Sequence, residues 1–233
     1  MSRVVRALAL LAISASALSA QAQVKQFAVV TRLGSSTPDR ESSLNAGGVI
    51  GLDAEYLFTK WFGVGTTVDV MRNNTHREDF LTRLRYGSAA TGGGDSIFYQ
   101  YVGQPISTIN LGAFALLRFP SEKISPFIMG GVGNYTMITD AQVNGKAMRQ
   151  NDLSLNFGGG LWWKLADRVG VQFDARAMQF QGFDREFLNP ASGRRELNTP
   201  FAEDFPKAPP AKNTAMTTTF TLGFRYLPGG GGN

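Results

Sequence analysis

The chain has 233 residues, of which 27 are glycine, none is cysteine and 18% are charged. The missing cysteine excludes a disulfide scaffold, a cysteine-ligated zinc site and a cysteine nucleophile, and one histidine excludes a site with several histidine ligands. Soluble domains usually carry about 25% charged residues, so a chain this poor in charge, with 43% hydrophobic residues, needs a physical explanation.

Residues 1–22 have the pattern of a secretory signal peptide. Arg3 and Arg6 precede a short apolar stretch, and Ala20-Gln21-Ala22 has the form of a cleavage site. The apolar stretch is too short to span a bilayer as a helix. We therefore expect export and cleavage; the alternative is an uncleaved anchor. Without this segment 21 basic residues face 18 acidic ones, and they are scattered, so no nucleic-acid partner is predicted.

Eight segments of the remaining chain alternate apolar residues with polar or small ones, the period of two that predicts β-strands. The last is the clearest, with Phe220 and Leu222 on one face and Thr221 and Arg225 on the other. Crossing a membrane at a tilt takes about 9–11 residues, whereas ordinary strands centre on about 5–6, so the lengths favour a membrane barrel. The segments lie at about 24–34, 50–58, 62–70, 107–119, 124–138, 153–164, 169–176 and 219–226. In the fifth, both faces carry apolar and glycine residues, so its orientation stays open.

The connections between these segments alternate between short and long. Short turns follow every second strand, and the long connections lie at about 35–45, 73–106, 139–151 and 181–214. Transmembrane β-barrels have short periplasmic turns and long outer loops. The sequence therefore predicts an all-β fold, an eight-stranded antiparallel transmembrane up-and-down β-barrel with both chain ends on the periplasmic side.

Alternation alone does not decide which face points outward, because a soluble ligand carrier would keep its apolar face inside. The polar face combines many glycines with charges of both signs in nearly equal number. An eight-stranded barrel is just wide enough for inward side chains to fill it, and buried charges need partners. We therefore predict a lumen ion-pair network, with Arg176 and Arg225 paired to acids, formed by Arg32, Asp53, Glu55, Asp69, Arg118, Lys164, Asp174, Arg176 and Arg225.

Aromatic residues recur near the short-turn ends of the predicted strands. In outer-membrane barrels such residues form girdles at the boundary between lipid and water. The alternative is that they belong to an ordinary core. The predicted girdle consists of Tyr56, Phe58, Trp61, Phe119, Trp163 and Tyr226.

Four segments carry a family resemblance. Residues 126–135 (PFIMGGVGNY), 157–161 (FGGGL) and 169–176 (VGVQFDAR) resemble strands of small eight-stranded outer-membrane β-barrels of the OmpA-like type. Residues 219–226 resemble the signal that the barrel-assembly machinery reads, although 227–233 follow where the family often ends on an aromatic residue.

The resemblance implies a bacterial outer-membrane protein that contacts outer-membrane lipid and lipopolysaccharide and is inserted by the barrel-assembly machinery. The expected organisation is a signal peptide at 1–22, an outer-membrane β-barrel domain at 23–226 and a glycine-rich C-terminal tail at 227–233.

No catalytic, cofactor-binding or metal-binding residue is predicted. His76 lies in the long loop 73–106, off the strands, and no serine follows at a spacing that suits a barrel lipid hydrolase, so we expect a surface residue.

The expected function is structural or interactive, through the long outer loops. Loops 73–106 and 181–214 are the predicted contact surface for an extracellular partner. The second of them carries Phe183, Phe187, Phe201 and Phe205, which either contact a partner or lipopolysaccharide or pack over the barrel as a lid. Two alternatives stay open: a narrow small-solute pore gated by the lumen ion pairs, and a lipid-modifying barrel enzyme.

Overall fold

The computed structural model describes residues 26–79, 81–86, 96–101, 103–141, 146–188 and 213–228. Their strands, in chain order, are β1 (Gln26–Pro38), β2 (Gly47–Leu57), β3 (Phe62–Asn74), β4 (Leu81–Tyr86), β5 (Ser96–Tyr101), β6 (Pro105–Arg118), β7 (Ile124–Thr139), β8 (Arg149–Lys164), β9 (Val169–Gln181) and β10 (Thr214–Tyr226). The predicted signal peptide, residues 229–233 of the predicted tail, Phe201 and Phe205 lie outside the described residues.

Eight of these strands form one closed antiparallel barrel in the order β1-β10-β9-β8-β7-β6-β3-β2. The first and last strands complete it, with pairs that run from Val29 opposite Tyr226 to Pro38 opposite Thr217. Closure leaves no edge strand in the barrel itself. The predicted eight-stranded antiparallel barrel is confirmed.

The two ends of the barrel differ in their connections. Turns at 58–61, 119–123 and 165–168 lie at one end, called here the short-turn end, together with the first residue of β1 and the last of β10. The connections 39–46, 75–104, 140–148 and 182–213 leave and re-enter the barrel at the opposite, long-loop end. Short 3-10 helices occur in three of these long loops, at Arg40–Ser42, Arg77–Asp79 and Arg185–Leu188. Within the described ranges, no helix is both long enough and apolar enough to cross a membrane.

The long connection 73–106, predicted as a loop, contains a β-hairpin. Strands β4 and β5 pair antiparallel, from Leu81 opposite Tyr101 to Tyr86 opposite Ser96, as a sheet separate from the barrel. The barrel strands on either side, β3 and β6, pair directly with each other. The hairpin is therefore an addition to the long-loop end and not a part of the barrel wall.

The barrel wall has an apolar outer face. Leu33, Ile50 and Phe224 are exposed on it, whereas their strand neighbours Arg32 and Arg225 are buried. The same alternation runs through all eight barrel strands. The prediction that the apolar face points outward is confirmed, and the core of this protein lies inside the barrel.

The barrel strands extend further toward the long-loop end than the sequence predicts. Strand β9 continues to Gln181, and β3 continues to Asn74. Met71, Met178 and Phe180 in these extensions point inward and are buried. An apolar residue on the inner face removes the contrast between the two faces, so the alternation fades although the strand continues.

Candidate functional site: the barrel lumen and its two ends

Asp53 is the centre of a buried ion-pair network in the middle of the lumen. It lies on β2 and accepts hydrogen bonds from Arg32 Nη2 at 2.8 Å, Arg176 Nη2 at 2.5 Å and Thr67 Oγ1 at 2.6 Å. These donors come from β1, β9 and β3, so one carboxylate connects the two sides of the lumen. Breaking such a buried pair by removing one partner is strongly destabilising, because a charge is left uncompensated.

Two further carboxylates complete this central charge layer. Arg32 also donates to Asp69 at 2.6 Å, and Arg176 also donates to Asp174 at 3.2 Å. Gly51 leaves the room that the Arg32 guanidinium occupies, since a Cβ at Gly51 would lie 2.6 Å from both Arg32 Nη2 and Asp69 Oδ1. The central charge layer therefore consists of Arg32, Asp53, Asp69, Asp174 and Arg176.

A second group of charges lies nearer the short-turn end. Arg225 of β10 pairs with Glu55 of β2, and its Nη1 lies 3.3 Å from Gln172 Oε1. The guanidinium carbons of Arg225 and Arg118 each lie 4.9 Å from the ring centroid of Trp162. We call Glu55, Arg118, Trp162 and Arg225 the inner charge layer.

Lys164 is not part of the lumen network, and this prediction is wrong. Its position in β8 has the inward parity, but it is the last residue of the strand and its side chain is 42% exposed. It pairs at 2.9 Å with Asp167 in the following turn. The hydrogen bond from Lys164 and its charge hold the pKa of the exposed Asp167 carboxyl below its usual range. The side chain of an inward-facing residue at the end of a strand can reach the barrel rim, where it is solvated by water and needs no buried partner.

The structure thus brings eight of the nine predicted charged residues into the lumen, in two layers. Sequence reasoning missed Trp162, which lies inward between the outward Leu161 and Trp163 and is 8% exposed, against 47% for Trp163. Strand parity alone would have placed it in the lumen. Three polar residues of the inward face extend the network: Thr67, Gln172 and Thr221 donate hydrogen bonds to carboxylates of the central charge layer. Gln172 also accepts a hydrogen bond from Arg225 of the inner charge layer.

The six residues predicted as an aromatic girdle all lie at the short-turn end of the barrel. Each of them either belongs to a short turn or points away from the lumen. Phe58, Trp61, Phe119, Trp163 and Tyr226 are exposed, and Tyr56 is half-buried. Tyr56 packs edge-on against Phe58 at 5.1 Å, and Trp61 against Phe119 at 6.4 Å. Phe27 and Phe62 are exposed at the same end. This arrangement supports the girdle, whose contact with lipid headgroups stays a prediction.

Apolar side chains fill the lumen at the long-loop end. Phe183 and Leu188, in the first residues of the long connection after β9, are buried there. Gln104 Nε2 donates to the Leu188 carbonyl at 2.7 Å, and Tyr135 Oη to the Gln181 carbonyl at 2.8 Å. The resulting mouth cluster consists of Leu44, Val49, Met71, Ile106, Tyr135, Met137, Met178, Phe180, Phe183, Leu188 and Ala215, with Phe187 packed against it.

The first two long loops are tied together above the mouth cluster. Leu44 and Thr75 form an isolated bridge, and the His76 N–H donates to the Ser43 carbonyl at 2.7 Å. Arg40 forms a salt bridge with Asp79. Burial alone would raise the pKa of the Asp79 carboxyl, but the hydrogen bonds of Arg40 and Ser43, with the charges of Arg40 and His76, outweigh burial and hold the pKa below its usual range.

Ser43 and His76 both lie close to the Asp79 carboxylate in the tied loops, so a hydroxyl, a histidine and a carboxylate come together there. Ser43 has a φ of 59° because it caps the 3-10 helix before it, and its side chain is fully buried. Asp79 is engaged by Arg40. A nucleophile needs access to its substrate and a base held by its own acid, so this group has the features of a loop contact and not of a catalytic triad.

The comparisons with known proteins agree with this architecture. The profile of the outer membrane protein beta-barrel domain matches residues 6–226. No curated protein sequence matches the chain significantly. Among solved structures, Neisserial surface protein A is 14% identical, with 86% of this chain and 96% of that chain covered and a TM-score of 0.51.

Two further solved barrels are similar at lower scores. Ail of Yersinia pestis, in complex with the heparin analogue sucrose octasulfate, is 11% identical, with 88% and 100% of the two chains covered and a TM-score of 0.45. OprG from Pseudomonas aeruginosa is 12% identical, with 88% and 97% covered and a TM-score of 0.47. Because the family profile spans almost the whole sequence, the chain belongs to the outer membrane protein beta-barrel domain family and is a protein of the bacterial outer membrane.

Proposed function

We propose that this protein is a barrel with a closed lumen, which serves as a rigid support in the membrane and makes surface contacts through its outer loops. The observation that carries the proposal is the mouth cluster, which fills the long-loop end of the lumen with buried apolar side chains. Phe183 and Leu188 come from the long loop after β9, so the first part of that loop acts as a lid.

The two charge layers support a closed lumen below this lid. The side chains of Arg32 and Asp53 are completely buried, and those of Arg176 and Asp53 meet across the lumen. Side chains that fill the interior are what an eight-stranded barrel has room for. The alternative of a small-solute pore would require both the lid and these ion pairs to open.

The outer loops provide a surface with its own structure. The loop segments 39–46 and 75–79 are connected by the backbone contacts of Leu44 and His76 and by the Arg40–Asp79 salt bridge. The hairpin β4–β5 extends this surface, and its two strands contain two arginines, no acid and four aromatic residues in sequence. Arginine and aromatic residues are enriched where proteins bind partners, which favours the hairpin as the contact element.

The proposal includes a route to the membrane. Residues 1–22 direct export, the barrel-assembly machinery reads the last strand, and the aromatic girdle meets lipid and lipopolysaccharide at the membrane boundary. A non-enzymatic role is also part of the proposal, since Ser43 beside His76 is buried and Asp79 is paired with Arg40.

Replacing residues 81–101 with a short Gly-Ser linker will remove the contact element and leave the barrel folded, because β3 and β6 pair without it. We expect bacteria that display this variant to attach several-fold more weakly to epithelial monolayers, with unchanged resistance to detergent. Deletion of 229–233 at the opposite end is the matched control and will attach like the wild type. Equal attachment of both variants would contradict the loop assignment, and unitary currents of the wild type in planar bilayers would contradict the closed lumen.

A further inference from the structure

The two charge layers of the lumen are each unbalanced, although their charges cancel when they are added together. The central charge layer has two guanidinium groups and three carboxylates. The inner charge layer has two guanidinium groups, Arg118 and Arg225, but only one carboxylate, Glu55. The inner charge layer therefore has one uncompensated positive formal charge, and its arginines are only 7% and 2% exposed.

Arg118 carries the uncompensated charge, because Glu55, the nearby carboxylate, already forms an ion pair with Arg225. Arg118 Nε donates to the Lys60 carbonyl at 3.2 Å, and the Arg118 guanidinium lies over Trp162. Within the described ranges no carboxylate forms an ion pair with it. In a buried site, an aromatic ring stabilises a neighbouring cation less than a paired carboxylate would.

The inner charge layer contains several buried hydrogen-bond donors that have no acceptor among the described residues. They are Arg118 Nη1, Arg225 Nε and Nη2, and Trp162 Nε1. Both guanidinium carbons lie 4.9 Å from the centroid of the same indole ring, so these donors belong to two arginines packed on one tryptophan. Buried donors without acceptors are costly, and guanidinium groups are the side chains best suited to bind oxyanions.

From this we infer that the inner charge layer is a binding site for one small anion, held between Arg118 and Arg225 beside the indole N–H of Trp162. A halide, a carboxylate or inorganic phosphate fits this chemistry, because each brings the missing negative charge and accepts from several donors. The site lies at the short-turn end of the lumen, where Leu227 packs against Trp162 and Ala28. An anion therefore enters from the short-turn end, past Leu227.

Iodide quenching of Trp162 tests this site directly. The Trp61→Phe/Trp163→Phe double variant leaves Trp162 as the only tryptophan of the three in the chain. We expect iodide, at constant ionic strength, to quench its fluorescence in the purified full-length barrel with a saturable dependence, and inorganic phosphate to compete. Neutral acrylamide will quench weakly and without saturation, because the ring is almost entirely buried.

In this background Arg118→Gln will abolish the saturable quenching. Lys164→Gln is the matched control, because it removes one positive charge from the same end of the barrel without contacting Trp162, and it will keep the quenching. Glu55→Gln will shift saturation to lower iodide concentration, since it removes the only carboxylate of the layer. Arg118→Lys, which keeps the charge, will retain part of the effect if the glutamine variant does not fold. The inference would be overturned if iodide did not quench Trp162, if the quenching did not saturate, or if Arg118→Gln and Lys164→Gln were quenched equally. Any of these results would mean that water alone satisfies the buried donors.

Discussion

Replacing Asp53 with asparagine will lower the free energy of unfolding of the barrel by about 3–5 kcal/mol, the usual cost of removing one partner from a buried ion pair. Asp53 is fully buried and accepts from both Arg32 and Arg176. Because the charges of the two layers cancel in the wild type, the variant leaves the lumen with one positive charge in excess. The amide also presents an N–H₂ group to donors that need an acceptor.

Urea unfolding of the barrel refolded into lipid vesicles, followed by tryptophan fluorescence, measures this effect. Asp167→Asn is the matched control, because it also removes one carboxylate from an ion pair, but at the exposed rim beside Lys164. We expect the control to unfold at the same urea concentration as the wild type, since exposed pairs contribute little. A similar midpoint for Asp53→Asn would show that the central charge layer does not hold the barrel together.

Replacing Leu222 with arginine will lower the free energy of unfolding by about 2–4 kcal/mol, the cost of a charge on the lipid face near the bilayer midplane. Leu222 lies on the outer face of β10, well inside the strand, and is 52% exposed in the isolated chain. In the membrane this exposed surface is covered by hydrocarbon, which cannot solvate a guanidinium.

Met216→Arg provides the comparison for this prediction. Met216 lies on the same face of the same strand, but near its long-loop end. Because the cost falls to about 0–1 kcal/mol near the interface, the two variants should differ clearly in unfolding midpoint in vesicles. Equal and small effects at both positions would mean that water, and not lipid, covers this face.

The barrel itself was predictable because its wall separates two environments. In β10, Phe220 and Leu222 point outward, whereas Thr221 and Arg225 point inward. This alternation identifies the strand and assigns each of its residues to the lipid face or the lumen face. Strict alternation of short and long connections then gave the topology. The same alternation predicted most of the charged residues in the lumen, because a charged residue at an inward-facing strand position points into the lumen.

The regions that could not be predicted from the sequence are those where the inner face of a strand is apolar like its outer face. In β7, Phe127 and Met129 point inward at one end and Tyr135 and Met137 at the other, so both faces look alike in sequence. The mouth cluster has the same cause, because its members come from six barrel strands and two long loops that only the closed barrel brings together. Pairing partners across the lumen depend on distances that parity does not encode.

Lys164 and Trp162 show the limit of parity from opposite directions. Both have inward parity near the end of β8, yet Lys164 reaches the rim and Trp162 is buried against two arginines. A long, flexible ammonium side chain reaches water more readily than an indole ring does. The position of a residue along the barrel axis, and not only its face, decides whether it joins the lumen network.

The central claim is that the apolar face of the barrel meets lipid while the inward face fills a closed lumen. The most direct test is to measure how strongly brominated lipid quenches the fluorescence of two adjacent tryptophans. Trp163 and Trp162 are neighbours in β8 with 47% and 8% exposure. In brominated phosphatidylcholine vesicles, a barrel with Trp163 as its only tryptophan should lose most of its fluorescence, and one with Trp162 alone should keep almost all of it. Equal quenching of the two, or stronger quenching of Trp162, would contradict the account.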